Sequence, residues 1–170
     1  KTGGFRFLIH PVFGLKVDTW SSDTNEWLAV DSNVFPTAWT QYVLVRQDPT
    51  WMWYINGSFK VSKTDTRTGR EESYAGFYLG RALYGYWYRG YVSQLIIYSR
   101  ALNDSEVQQI YADPSNPPTN GLVLWLDWDS LDCANNKWWD KSGYNNHGTL
   151  YNVQCVDIIK KPTRVLSPVR

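Results

Sequence analysis

Trp51–Lys63 reads WMWYINGSFKVSK, two runs of aromatic and β-branched side chains divided by Asn56-Gly57. Both central residues of a type I′ turn need positive φ, which asparagine and glycine adopt at least cost, so the stretch predicts a β-hairpin. Alternation along the first run puts Trp51 and Trp53 on one strand face. Flanking segments repeat the theme. FRFLIHP (5–11), GLKVDTW (14–20), EWLAVDS (26–32) and TAWTQYVLVRQ (37–47) read as short strands broken by turn residues, and YAGFYLGRAL (74–83) and YGYWYRGYVSQLIIYSRAL (84–102) follow a polar loop at Lys63–Ser73.

Composition agrees. Ten Trp and twelve Tyr against a single Met favour strands over helices, so an all-β fold is expected. One short helix interrupts it. In ALNDSEVQQIYAD (101–113), Asn103 is placed to cap, Glu106 to reach back to it, and Val107, Ile110 and Tyr111 to form an apolar stripe. DPSNPPTNG (113–121) is too rich in proline to continue a helix or enter a central strand, and reads as a linker. A formal charge of +1 leaves no electrostatic footprint for nucleic acid, and no apolar run is long enough to span a membrane.

Beyond the linker, Gly121–Asn152 combines an apolar strand, GLVLWL (121–126), with the acidic run LDWDSLD (126–132) and a glycine-asparagine turn. An unpartnered strand of this kind exposes unsatisfied N–H and C=O groups beside an apolar face, so it must join a sheet. Alternation puts Asp127 and Asp129 on one strand face, as a carboxylate pair for glycoside cleavage would require. With Asp140, the same carboxylates are candidate oxygen ligands for a structural Ca²⁺; a solvated acidic loop is the plainer alternative. Cys133 and Cys155 lack zinc spacing and are expected either to pair as a disulfide, implying an oxidising compartment, or to serve as small buried hydrophobes. His10 and His147 have no nucleophile nearby in sequence, so no catalytic residues are assigned.

AWTQYVLVRQD (38–48), WYINGSFK (53–60), FYLGRA (77–82) and YRGYVSQLIIYSRALNDSEVQQIY (88–111) together resemble the second half of a laminin-G-like, concanavalin-A-like domain. GLVLWL, DKSG (140–143) and NNHGTLYN (145–152) resemble the same family's opening strand and turn, so the family's end precedes its beginning. The resemblance implies a two-sheet antiparallel jelly-roll sandwich with one short helix near 103–111. The expected organisation is a C-terminal-half-like part over 1–112, a linker over 113–120, a first-strand segment over 121–157 that completes its own or a neighbour's sandwich, and an extended tail over 158–170.

The resemblance also implies a non-enzymatic module displayed outside the cell, on a cell surface or a virion. Its partners would be glycans or neighbouring subunits, including a second copy joined by strand exchange; no cofactor beyond the calcium is expected. Tyr84, Tyr86, Trp87 and Tyr88 are the candidate glycan-binding rings, since flat apolar faces with polar edges suit sugars, although most aromatics here must fill a core. Asn56-Gly57-Ser58 matches the N-glycosylation acceptor pattern on a turn with room for a glycan. The alternatives are a purely structural subunit and a hydrolase using Asp127 and Asp129.

Overall fold

The computed structural model describes the backbone of Gly4–His10, Gly14–Trp20 and Trp27–Asp31, and all atoms of residues 38–64, 77–80 and 90–155. Ten strands and one helix occur among these: β1 (Gly4–His10), β2 (Gly14–Trp20), β3 (Trp27–Asp31), β4 (Tyr42–Gln47), β5 (Thr50–Ile55), β6 (Ser58–Thr64), β7 (Gln94–Tyr98), α1 (Asp104–Ala112), β8 (Leu122–Asp132), β9 (Lys137–Asp140) and β10 (Gly148–Thr149). All pairing is antiparallel, in ladders ordered β1-β2-β3, β4-β5-β6 and β10-β9-β8-β7. The fold class expected from the sequence, all-β with a single short helix, is the one observed.

The chain divides into two compact units, one of residues 1–92 and 100–118, the other of 93–99 and 119–170. In the first, the hairpin forms where the sequence places it. Asn56 and Gly57 take φ of 50° and 74°, and β5 pairs with β6 across them. Leu44, Trp53 and Val61 align across the three strands, and Trp51 and Trp53 are buried at 3% and 0% exposure. Both tryptophans are therefore core residues. Tyr54 is buried too, which accounts for the nearly continuous apolar run in β5, and Val45 is buried in β4.

Helix α1 is nucleated by the expected capping box. Asn103 accepts the Glu106 N–H at 2.9 Å, and the Glu106 carboxylate accepts the Asn103 N–H at 2.9 Å. Arg100 grips the same carboxylate with both terminal nitrogens, which together with the cap holds Glu106 at a pKa of about 2. Val107 and Ile110 are buried, and Tyr111 lies over the hairpin turn: a Cβ on Gly57 would meet the Tyr111 Cβ at 3.0 Å. The hydroxyl of Tyr54 donates to Asp104 at 2.6 Å, joining sheet to helix, and burial is the main reason its pKa is pushed up to about 12.

In the second unit, β7 is the partner of the late apolar strand. Leu95 faces Leu126, Ile96 faces Trp125 and Ile97 faces Leu124, so the apolar part of β8 pairs with a strand of its own chain. Leu124, Leu126 and Trp138 form its core, with Leu95, Ile97, Leu131 and Leu150 packed around them. Cys133 and Cys155 form a disulfide that encloses β9 and β10.

Two expectations shift. Phe77–Gly80, read as part of a strand, is irregular, and β6 takes in Lys63 and Thr64, the first two residues of the polar stretch read as a loop. The expected tail over 158–170 lies outside the described residues.

Candidate functional site

The polar chemistry of the β7–β10 unit gathers where β8 and β9 fall out of register. Leu126 pairs with Asp140 and Leu131 with Trp138, so Asp127–Ser130 stand opposite Trp139 alone. Extra residues on one strand bend it and re-aim its side chains. The Ser130 hydroxyl fastens the bulge, accepting the Asp127 N–H at 3.2 Å and approaching the Trp139 carbonyl at 2.7 Å as a donor. The indole N–H of Trp138 closes it from within, donating to the Asp127 carbonyl at 2.7 Å.

The bulge separates the two aspartates expected to share a face. The Asp127 side chain is buried at 2% exposure while Asp129 keeps 45%, and the Lys141 ammonium bridges them, 3.3 Å from Asp127 Oδ2 and 3.0 Å from Asp129 Oδ1. The Trp125 ring caps that ammonium, with its centroid 4.2 Å away. Burial pushes the Asp127 carboxyl above its ordinary pKa, against the pull of the Trp128 N–H and of Lys141. Burial also opposes the Lys141 charge, but hydrogen bonds to Asp129 and Asp127 outweigh it and hold the ammonium above its usual range.

Asp140 does different work. Its carboxylate accepts N–H groups of Trp125, Ser142 and Asn146 at 2.9 Å each and the Ser142 hydroxyl at 2.7 Å. Burial works against the charge, yet these donors prevail and keep its pKa low. Asp140 is thus the organiser of the DKSG turn, which Asn146 completes by donating to the Val123 carbonyl.

These placements bear on the expected calcium site. Calcium takes six to eight oxygens, whereas the Asp140 oxygens are engaged by four donors and Asp127 and Asp129 converge on a cation already supplied by the chain. Among the described residues no group of three or more His, Cys, Asp or Glu side chains is placed to hold a metal ion. Asp127, Asp129 and Asp140 as placed do not form a calcium cage. Nor do Asp127 and Asp129 face each other across an open cleft, because Lys141 lies between them.

Beside the bulge lies a feature that the sequence reading missed. In KWWD (137–140), Trp138 turns inward and Trp139 outward, leaving Trp139 43% exposed. Its indole N–H donates to Asp132 Oδ2 at 3.3 Å, and its ring meets His147 edge-on at 4.7 Å between centroids. Asn135 donates its side-chain amide to the same Asp132 oxygen at 2.9 Å, and the Asn135 contacts hold the Asp132 carboxyl below its usual pKa. His147 Nδ1 accepts the Asp140 N–H at 3.1 Å, so the turn fixes the imidazole against the ring. The signal available in the sequence was the WW pair in a short strand, since alternation forces one of the two outward.

The other candidates divide. Tyr84, Tyr86, Trp87 and Tyr88 lie outside the described residues. Asn56 is half-buried rather than free at a hairpin tip: its Oδ1 accepts the Gln41 N–H at 2.9 Å, and the Gln41 side chain accepts the Gly57 N–H at 3.0 Å. In the first unit a shallow depression of about 450 Å³ lies between Gln47, Met52, Tyr54 and the start of α1, and its one charged group, Asp104, is engaged by Tyr54. Among the described residues no helix is long and apolar enough to cross a membrane.

Residues 1–108 match the Laminin_G_3 family model, described as the concanavalin A-like lectin/glucanases superfamily; β8–β10 lie beyond the match. A similar solved structure is that of an S-layer domain-containing protein from Clostridium thermocellum, with 16% identity and a TM-score of 0.34. The similarity covers 57% of this chain and 51% of that one, so this chain spans about half of that structure's length. None of the curated proteins matches the chain. With the match extending over most of its length, and with antiparallel ladders and one capped helix in the expected order, the chain belongs to the concanavalin A-like lectin/glucanases superfamily.

Proposed function

We propose that this chain is a non-enzymatic, extracellular β-sandwich module that works by surface contact, with Trp139 as a platform for a sugar ring. The observation that carries the reading is the exposure of Trp139 together with its fixed surroundings. An indole held by Asp132 at its N–H and by a T-shaped contact with His147 presents a half-exposed aromatic surface with carboxylate and amide groups beside it. Pyranose C–H groups stack on such a face while hydroxyls reach the polar rim, and little side-chain entropy is lost because the ring is already positioned. The disulfide supports an oxidising, extracellular setting. The closure of the Asp127–Asp129 pair by Lys141 supports binding over hydrolysis.

The test is a glycan array followed by titration of the best ligand into wild-type protein and Trp139→Ala. The expected loss on substitution is at least about tenfold in affinity, or roughly 1.4 kcal/mol. Absence of any array signal, or equal binding by the variant, would overturn the glycan reading.

A subunit that assembles without a ligand is the second reading. The exposure of Tyr144, Tyr151 and Val153, at 66%, 80% and 59%, favours it by supplying apolar side chains for contact. Sedimentation equilibrium separates the two, since assembly predicts association that Tyr151→Ser weakens and sugar does not affect. The pairing of β8 with β7 supports completion of the chain's own sheet over exchange with a second copy.

A further inference from the structure

Lys141, Asp127 and Asp129 form a constellation that surface binding does not use. The Lys141 Nζ lies 3.3 Å from Asp127 Oδ2, in direct contact with the carboxyl group whose carbon an amine would attack. The other oxygen, Asp127 Oδ1, accepts the backbone N–H of Trp128 at 2.8 Å. A donor fixed there is placed to stabilise negative charge that develops on Oδ1 when the carboxyl carbon becomes tetrahedral. Asp129 holds the same Nζ with both oxygens, at 3.0 and 3.2 Å, where a proton carrier is needed. The Trp125 ring covers the ammonium, and the Asp127 side chain is almost wholly buried, so water has little access to the carboxyl carbon. Nucleophile, electrophile, base and oxyanion donor thus lie within one hydrogen-bonded cluster.

We propose that Lys141 and Asp127 condense to an intramolecular isopeptide bond, with Asp129 carrying the proton. In the ion pair, the ammonium first passes a proton to the Asp127 carboxylate, leaving a neutral amine and a neutral carboxylic acid. The Nζ lone pair attacks Asp127 Cγ, and Oδ1 takes up the displaced π electrons under the Trp128 N–H. Asp129 accepts a proton from the attacking nitrogen and delivers it to the Oδ2 hydroxyl. The Cγ–Oδ2 bond breaks, water departs, and Asp129 is again a carboxylate. One N–C bond forms, one C–O bond breaks, and no oxidant or co-reactant is consumed.

The raised pKa of Asp127 favours the acid form that an amine can attack, whereas the raised pKa of Lys141 opposes loss of its proton, so the transfer depends on the direct contact between Nζ and Oδ2. Conversion of the ion pair to a neutral amide also relieves the desolvation of the buried Asp127 carboxylate, which favours the condensation. The product fixes β8 to the turn after β9, inside the unit already closed by the disulfide.

The experiment is intact-mass analysis of the purified chain, unfolded and reduced, over a time course of folded incubation at neutral pH. The expected result is a species lighter by one water, absent from Lys141→Arg and slowed in Asp129→Asn. Trypsin then fails to cleave after Lys141, and tandem spectra join the peptide containing Asp127 to the one containing Lys141. An Asp127→Asn variant that condenses loses ammonia in place of water. Should a variant fail to fold, the wild-type time course decides alone. Full mass after prolonged incubation overturns the proposal. So does a water loss confined to a single aspartate peptide, as in a cyclic imide at Asp129-Ser130, with Lys141 still cleavable.

Discussion

The β4–β6 sheet with its helix and the β7–β10 sheet both carry aromatic-rich strands, yet different chemistry holds them. In the first, apolar burial dominates: Trp53 and Tyr54 are at or near zero exposure, and the polar groups close off a helix end. In the second, a short apolar row is supplemented by a disulfide, a bridged carboxylate pair and a turn organised around Asp140. A small sheet with a thin core needs such ties, because the apolar area it removes from water cannot offset chain entropy alone. The polar ties also bring reactive and recognising groups together, and so the candidate chemistry lies in the second unit.

The largest test of this contrast is Trp53→Ala. Removal of a fully buried indole should cost about 3–5 kcal/mol in denaturant unfolding. If the cost instead matches that of the exposed Trp128, within about 0.5 kcal/mol, the first unit is not held by its core. The disulfide tests the other side. Cys133→Ser with Cys155→Ser should cost about 3 kcal/mol in the chain-entropy picture. Hydrogen exchange should rise across β8–β10 and stay protected in α1, and uniform loss across both units would break the comparison.

Two glycines sharpen it. Gly57→Ala meets both a positive φ and the Tyr111 side chain, whereas Gly143→Ala, at φ +92°, has nothing within 4 Å of the new methyl group. Both should lose roughly 1–2 kcal/mol from the backbone, with Gly57→Ala the worse of the pair. Equal losses would mean that the helix does not press on the hairpin turn. Asn103→Ala should cost about 1 kcal/mol and fray the start of α1, visible as faster exchange at Glu106 and Val107.

Acid separates the units most subtly. Glu106 titrates at about 2 in the folded chain against 4.5 as its ordinary value. Its contribution is full above the ordinary value and is lost as pH falls toward 2. Asp127 has the opposite sign, since its raised pKa means that the folded chain takes up a proton more readily than the unfolded one. Carboxyl-resolved NMR titration should show Glu106 shifting only in strong acid and Asp127 shifting first. Once joined to Lys141, Asp127 would cease to titrate.

What could be read from the sequence follows from the range of the interactions. The Asn56-Gly57 turn and the Asn103–Glu106 cap are decided within four residues, and both appear as expected. The acidic run was harder. Strict alternation placed Asp127 and Asp129 together, but the bulge opposite Trp139 buried one and exposed the other. A register slip reverses the facing of every residue it passes, and no local pattern in LDWDSLD announces it. Lys141 was overlooked for the same reason, because its partners lie 12 and 14 residues away in the chain. Asn56 looked open only because Gln41, 15 residues earlier, had not yet been brought against it.

The sequence by itself determined the antiparallel β class, the hairpin, the capped helix and the need for the late apolar strand to find a sheet, because backbone propensity, turn stereochemistry and side-chain period act over a few residues. Only the tertiary structure decided which strand received it, which tryptophan of Trp138 and Trp139 stayed wet, and which of the two aspartates bridged by Lys141 was buried. Those outcomes depend on strand register and on burial across the fold, where a displacement of one residue exchanges the inside for the outside.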